Sequence, residues 1–440
     1  MNDLDETHDP GRRSFVQIAN RSGNDFPIQN LPYGVFRRAG TDEEFRVGIA
    51  IGDQIFDLSR VHELFSIDAK YAVQACASAQ LNELMALPWG SWQSLRREAA
   101  ALLDEDSSSA NQAAMRRHLV PMAEAQMSLP VKIGDFTDFY SSIFHATNAG
   151  RLIRPDNPLL PNYKYLPIAY HSRVSSIQLS GNAVRRPSGQ VKPPQSDRPE
   201  FAPSSRLDYE TELGMYIGAP SALGSPIPIS HAGRHVFGFC LLNDWSARDL
   251  QVWEYQPLGP FLAKNFATTV SAWVVTASAL LPYRTSAFAR PAGDPAPLPH
   301  LMDVDDQQSG AFAITLETYL LTERMRSAGQ PALKLSSGSF ADTYWTIAQM
   351  VAHHTSNGCN LVTGDLLGSG TVSGPDEVNW GSLLEITQGG NKPLRLPNGE
   401  TRRFLDDGDE IILRGHCNRA GSARIGFGEC RGIVLAAHRA

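Results

Sequence analysis

Val236-Phe-Gly-Phe-Cys-Leu-Leu-Asn243-Asp244-Trp245 is the stretch on which the fold turns. Its first seven residues are apolar without alternation, which predicts a strand covered on both faces. The run stops at Asn243-Asp244, and Arg248, Asp249 and Gln251 follow. An acid at the tip of a buried strand, with Arg and Gln close behind, is a layout suited to a site. The competing reading is that Asp244 caps a short helix.

Working outward, 207–218 reads as a second strand, carrying Leu207-Asp-Tyr-Glu-Thr-Glu-Leu-Gly-Met215. Period-two alternation puts Asp208, Glu210 and Glu212 on one face, roughly 7 Å apart at the backbone. If that face is buried, the carboxylates repel one another and need a cation between them. Oxygen donors alone favour Mg²⁺ or Ca²⁺. The bland alternative is a solvated strand face. Further strands are expected at 312–321, 410–413 and 432–435. A helix is expected over 341–354, with Asp342 as its N-cap. Asp138 and His145 lie seven apart and would share a face if that segment is helical, and His is the default base near neutral pH. His353 and His354, adjacent and so pointing apart on a helix, are assigned to structure.

The first ~130 residues look separable. The segment 46–58 holds two short β-runs joined at Gly52-Asp53, a hairpin signal. Pro88 and Gly90 split the helical pattern of 81–103 into two helices or a kink. The segment 185–206, rich in Pro, Ser and charge, reads as a long functional or disordered loop. The acidic first ten residues read as an extension outside the fold.

Composition narrows the classes. The 440 residues are 42% hydrophobic and 19% charged, with net charge −7. That profile excludes wholesale disorder and gives no electrostatic case for nucleic acid or an anionic membrane. No apolar run approaches the ~20 residues of a membrane span. Five scattered cysteines without a C-x-x-C pair, and a polar acidic N-terminus, predict reduced thiols and a cytoplasmic protein. No G-x-S-x-G elbow or phosphate loop is present. Carboxylates for a hard metal, a His base, and Arg, Lys and Tyr residues remain. That set suits metal-assisted hydrolysis or enolate chemistry on an acidic, oxygen-rich substrate.

Asp135-Phe-Thr-Asp-Phe-Tyr-Ser-Ser, His145-Ala-Thr-Asn, Leu241-Leu-Asn-Asp-Trp-Ser-Ala-Arg-Asp and Trp253-Glu-Tyr-Gln-Pro-Leu-Gly-Pro-Phe-Leu-Ala-Lys264 together resemble the fumarylacetoacetate hydrolase family. So do His353-His-Thr-Ser-Asn-Gly, Gly364-Asp-Leu-Leu-Gly-Ser-Gly-Thr371 and Arg424-Ile-Gly-Phe-Gly428. The likeness begins at Asp25-Phe-Pro-Ile-Gln-Asn and runs almost to the C-terminus. It implies a mainly β chain with some α. A small N-terminal SH3-like β-barrel domain with flanking helices (1–130) would precede a large catalytic β-roll (131–440). It also implies a homodimer that hydrolyses 4-fumarylacetoacetate to fumarate and acetoacetate, the last step of tyrosine and phenylalanine catabolism.

Carried over by position, Asp138, Glu210, Glu212 and Asp244 would hold Mg²⁺ or Ca²⁺. Lys264 and Thr268 match positions around a second metal, with Lys264 contributing its backbone carbonyl. His145 would be the base, Glu385 its partner, and Arg248, Gln251 and Lys264 would face the oxyanion. Tyr140, Arg154, Tyr170, Gln251, Tyr255 and Thr371 would touch substrate. The other readings are an acylpyruvate hydrolase or a 2-oxo acid decarboxylase or hydratase of the same superfamily, and a catalytically silent metal- or ligand-binding protein.

Overall fold

The computed structural model describes residues 4–193 and 195–438. The predicted buried strand is there as Val236–Asp244, at the heart of the largest sheet. Across that sheet run Ala169–His171, Phe136–Phe139, Leu366–Gly368, Thr211–Ile217, Val236–Asp244, Thr268–Val270 and Ile177–Leu179, with Val275–Thr276 pairing with Gly238 and Phe239 near the start of Val236–Asp244. Most pairings are antiparallel. The Leu366–Gly368 and Phe136–Phe139 pair is parallel, as is Thr268–Val270 with Ile177–Leu179.

Both faces of this sheet are covered, which is why Val236 to Leu242 does not alternate. Leu213, Met215, Phe239 and Leu241 pack into one core, against Leu316, Ile411, Leu413 and Phe427. Those partners belong to a second sheet, ordered Leu333–Ser339, Thr315–Leu321, Glu410–Cys417, Ile425–Leu435 and Val184–Arg185. Phe136, Tyr216, Phe237, Leu242 and Leu366 enter another core, shared with the N-terminal residues Tyr33, Val47, Leu84, Trp92 and Leu95. The Trp92 and Phe237 rings meet edge to face at 5.0 Å.

The N-terminal part is a five-stranded antiparallel sheet. Its order is Leu119–Pro121, Gln54–Asp57, Arg46–Ile51, Tyr33–Arg38 and Ala125–Ser128. The expected hairpin at Gly52-Asp53 forms, with Gly52 at φ 61, a conformation in which glycine meets no Cβ penalty. Pro88 opens the helix Trp89–Leu103, separate from Asn82–Met85. The five cysteines are free, and four are buried.

Several local expectations change. Asp138 and His145 do not share a helix: Asp138 lies in the strand Phe136–Phe139, and His145 opens the helix Ile143–Ile153. The helix expected from 341 begins at Ile347, because Thr346 and Gln349 form a capping box there. Asp342 instead ends a 3₁₀ turn. The 207–218 strand is interrupted at Tyr209-Glu210, giving Leu207–Asp208 and Thr211–Ile217. Much of 185–206 is an ordered hairpin, Ser188–Val191 with Glu200–Pro203.

Residues 4–10 are part of the fold rather than an extension. The buried Arg96 guanidinium needs acceptors, and Thr7 Oγ1 is one of them, at 2.9 Å from Nε. His8 Nε2 sits 2.9 Å from the Ser278 carbonyl. Residues 1–3 of the acidic stretch lie outside the described residues.

Candidate active site

The sheet face that packs on the N-terminal core changes character at one end. Phe136, Tyr216, Leu242 and Leu366 face that core, and two residues along their strands stand Asp138, Asp244 and Gly368, with Glu212 four before Tyr216. Asp138 is in register with Gly368, Gly368 with Gly214, and Glu212 with Leu242. The carboxylates therefore converge across four neighbouring strands. Gly368 supplies the room, since a Cβ there would lie 2.5 Å from Asp138 Oδ1.

One oxygen from each of Asp138, Glu210, Glu212 and Asp244 lies within 4.8 Å of the others, and all four residues are buried. The solvated-face reading of Glu210 and Glu212 is thereby excluded. So is helix capping by Asp244: the following helix, Arg248–Glu254, has Ala247 at its N-cap. Burial and then the nearby Asp244 push Asp138 well above the usual carboxylate range. Burial and Asp138 do the same to Glu212. Burial also raises Asp244, against the pull of Lys264. Glu210 behaves oppositely: burial would raise it, but Lys264, Arg248 and His145 hold it well below its ordinary value.

The residues fit a divalent cation. Glu212 Oε1 is buried without a hydrogen-bond partner among the described residues. The remaining donors are carboxylate oxygens, the set that hard ions prefer. Lys264 Nζ bridges Glu210 Oε2 and Asp244 Oδ2, the latter at 2.7 Å, and Thr268 Oγ1 donates to Asp244 Oδ1 at 3.1 Å. The Lys264 and Thr268 side chains thus hold the carboxylates of the cluster. Tyr170 donates to Asp244 Oδ2 at 2.9 Å. Gly370 N–H reaches both Asp138 Oδ1 and Glu212 Oε2.

His145 stands at the edge of this cluster. Its Nδ1 is 2.7 Å from Glu385 Oε2, and its Nε2 lies 4.0 Å from Glu210 Oε1. Burial would raise Glu385, but His145, Asn148 and Ser382 keep it below its ordinary value. Three side chains donate to this carboxylate, Ser373 Oγ and Ser382 Oγ at 2.9 Å and Asn148 Nδ2 at 3.0 Å. Ser373 and Ser382 escaped sequence reasoning because they converge only in three dimensions. Asn148 carried a signal, standing one helical turn after His145.

Arg248 spans the other side, its Nη1 2.7 Å from Glu210 Oε1 and 3.1 Å from Gln251 Oε1. Tyr140 packs edge-on against His145, with ring centroids 5.5 Å apart. Burial and the nearby Glu210 and Glu385 raise the Tyr140 phenol, and Arg154 is close enough to oppose them. Arg154 Nε and Thr371 Oγ1 are buried without partners among the described residues. Tyr255 is half-buried after the helix Arg248–Glu254 and makes no hydrogen bond to the cluster among the described contacts. His354 Nε2 meets Thr137 Oγ1 at 2.9 Å, in keeping with a structural role.

Residues 136–434 match the family model described as fumarylacetoacetate hydrolase C-terminal, and 29–130 match fumarylacetoacetase N-terminal. The chain is 46% identical over 434 residues to the fumarylacetoacetase of Homo sapiens, covering 96% of this chain and 99% of that one. It is 47% identical over 430 residues to the Caenorhabditis elegans fumarylacetoacetase, covering 97% and 99%. Among solved structures, a fumarylacetoacetate hydrolase from psychrophilic Exiguobacterium antarcticum aligns with TM-score 0.50 at 16% identity, over 92% of this chain and 99% of that one, a likeness of fold. With both halves matched and close to half of its residues shared with these relatives, the chain belongs to the fumarylacetoacetate hydrolase family.

Proposed function

We propose that this chain hydrolyses the carbon–carbon bond of 4-fumarylacetoacetate, giving fumarate and acetoacetate, as the last step of tyrosine and phenylalanine catabolism. The observation that carries the reading is the His145–Glu385 pair at 2.7 Å, set beside a buried four-carboxylate cluster. A ligand-binding protein without catalysis has no use for such a pair.

With its Nδ1 hydrogen given to Glu385, the imidazole keeps a lone pair at Nε2, on the side of Glu210. Nε2 takes a proton from water as the water oxygen bonds to the fumaryl carbonyl carbon. Glu385 fixes the tautomer and stabilises the imidazolium that forms. The carbon–carbon bond then breaks, its electron pair leaves on the acetoacetate carbon as an enolate, and His145 returns the proton. Arg248, Gln251 and Lys264 face the oxyanion, a contact worth about 3 kcal/mol per donor. Arg154 grips a substrate carboxylate, and Tyr140, Tyr170, Tyr255 and Thr371 align the planar chain, with Arg154 Nε and the Thr371 hydroxyl unpartnered among the described residues. Asp138, Glu210, Glu212 and Asp244 would hold Mg²⁺ or Ca²⁺, which supplies a Lewis acid for the substrate oxygens.

We further read the N-terminal sheet as an SH3-like barrel within a 1–130 domain, and 131–440 as a catalytic β-roll. The chain is read as a cytoplasmic homodimer. Val252, Trp253, Leu258, Phe261 and Leu262, large apolar side chains exposed between Gln251 and Lys264, support a partner surface. Among the described residues no helix is long and apolar enough to cross a membrane.

The test is loss of the substrate's ultraviolet absorbance on adding purified protein, with EDTA and with added Mg²⁺ or Ca²⁺. Fumarate and acetoacetate should appear, stop with EDTA, and return with metal. Cleavage of acylpyruvates instead, with this substrate untouched, would overturn the assignment.

A further inference from the structure

Asp208 opens the Asp208, Glu210, Glu212 series, yet it is not part of the metal-binding group. It is fully buried, and both its oxygens are engaged. Oδ1 accepts the N–H groups of Tyr209 at 2.9 Å and Leu383 at 2.8 Å. Oδ2 accepts the Leu384 N–H and Arg248 Nε, both at 2.9 Å.

These partners come from two different parts of the chemistry. Leu383 and Leu384 are the first residues of the four-residue helix Leu383–Ile386, which carries Glu385. A helix this short has almost no internal hydrogen bonds with which to hold its own direction. Its first N–H groups are held from outside: Leu383 and Leu384 by Asp208, and Glu385 by Ser382 Oγ. Arg248, on Asp208's other side, reaches Glu210 and Gln251. A single carboxylate thus joins the turn that aims Glu385 at His145 to the guanidinium that faces the cluster.

We propose that Asp208 is a positioning residue that fixes the Glu385–His145 pair and Arg248 relative to one another, so that base and oxyanion donor are set from one anchor. It acts through these groups, and the inference rests on the hydrolytic reading above. A shift of about 1 Å in either group is enough to cost about 100-fold in rate.

Asp208→Asn in the full-length protein tests it. However the amide is turned, its NH₂ meets two donors where an oxygen stood. Turnover of fumarylacetoacetate by the folded variant should fall by about 100-fold in kcat with KM within about threefold, the pattern of a transition-state effect. The His145 Nδ1 proton, read by NMR on ¹⁵N-histidine-labelled protein, should shift or broaden. Combined with Glu385→Gln, the kcat losses should be markedly less than multiplicative, since both act through one pair. If Asp208→Asn does not fold, Asp208→Ser leaves room for water at the four donors, and the same kcat loss and proton shift are expected. A folded variant with kcat within about threefold of the parent and an unmoved His145 proton, or fully multiplicative losses, overturns the proposal. A parent that leaves the substrate untouched overturns the functional reading instead, and the NMR arm still decides this one.

Discussion

At the scale of single residues, the site is organised by charge that its own side chains do not balance. Asp138, Glu210, Glu212 and Asp244 face Lys264 and Arg248, and Arg248 also serves Asp208, so at least two negative charges remain. A divalent cation would offset that charge, and burial together with the neighbouring carboxylates raises Asp138 and Glu212. His145 is set apart from this balance by Glu385. His145→Ala should leave a folded protein whose kcat on fumarylacetoacetate falls by about 100- to 10,000-fold, the span ascribed to a general base. Near-normal turnover would assign the base elsewhere. The residues legible beforehand were those whose type and spacing are informative by themselves: Glu210 and Glu212 by alternation, and Asp244 at the end of an apolar run. Glu385 was reached only through the family resemblance, and its donors Ser373 and Ser382 were not reached. Small polar residues in loops look alike in any sequence, and only the fold tells which of them meet.

Among secondary-structure elements, burial decided which predictions survived. Val236–Asp244 was readable because a strand covered on both faces has no polar side to disguise it. The segment around Asp138 was not. A span of seven residues fits a helix face, but the chain uses it for a strand, a short link through Tyr140 and Ser141, and a helix capped by Ser142. Capping also moved the start of Ile347–Thr355, and its cap leads to a test. Thr346 Oγ1 donates to Asp306 Oδ2 at 2.8 Å, tying this helix to Val304–Ser309. Burial raises the Asp306 carboxyl to about 6, above the 3.8 of an exposed one. The folded chain therefore holds that proton more tightly than the unfolded chain. Stability from this group is full below about pH 4 and is lost as pH rises through about 6. Asp306→Asn, which cannot ionise, should gain Tm relative to the parent over that window, by up to about 3 kcal/mol in stability. Thermal melts at several pH values check this, and a difference in Tm that does not change with pH would contradict it.

For the whole molecule, the two halves share a core rather than merely touch. Phe136, Tyr216, Phe237, Leu242, Val274 and Leu366 are buried against N-terminal side chains. At about 1.5–3 kcal/mol for each large apolar side chain, that face contributes on the order of 10 kcal/mol, comparable with the net stability of a whole domain. The fragment 131–440 alone should aggregate on size-exclusion chromatography, and co-expression with 1–130 should restore a single soluble species. A monodisperse, metal-binding fragment would show that the catalytic half stands alone. The hairpin and helix signals of the first residues suggest a division near residue 130. That N-terminal side chains cover one face of the large sheet was not legible, since a strand apolar on both faces does not say what covers each.

The shared face also determines how damage far from the chemistry would be felt. A substitution such as Trp92→Ala removes a neighbour of Phe237 while every group around His145 keeps its partners. Each surviving molecule would work at full speed, but fewer would survive, because a loss of one or two kcal/mol changes cellular abundance several-fold. In a population of variants, inherited defects in the N-terminal half would therefore appear as missing enzyme, correctable by a chaperone or a lower temperature. Defects at His145 or Glu385 would leave a normal amount of inert protein that neither treatment rescues.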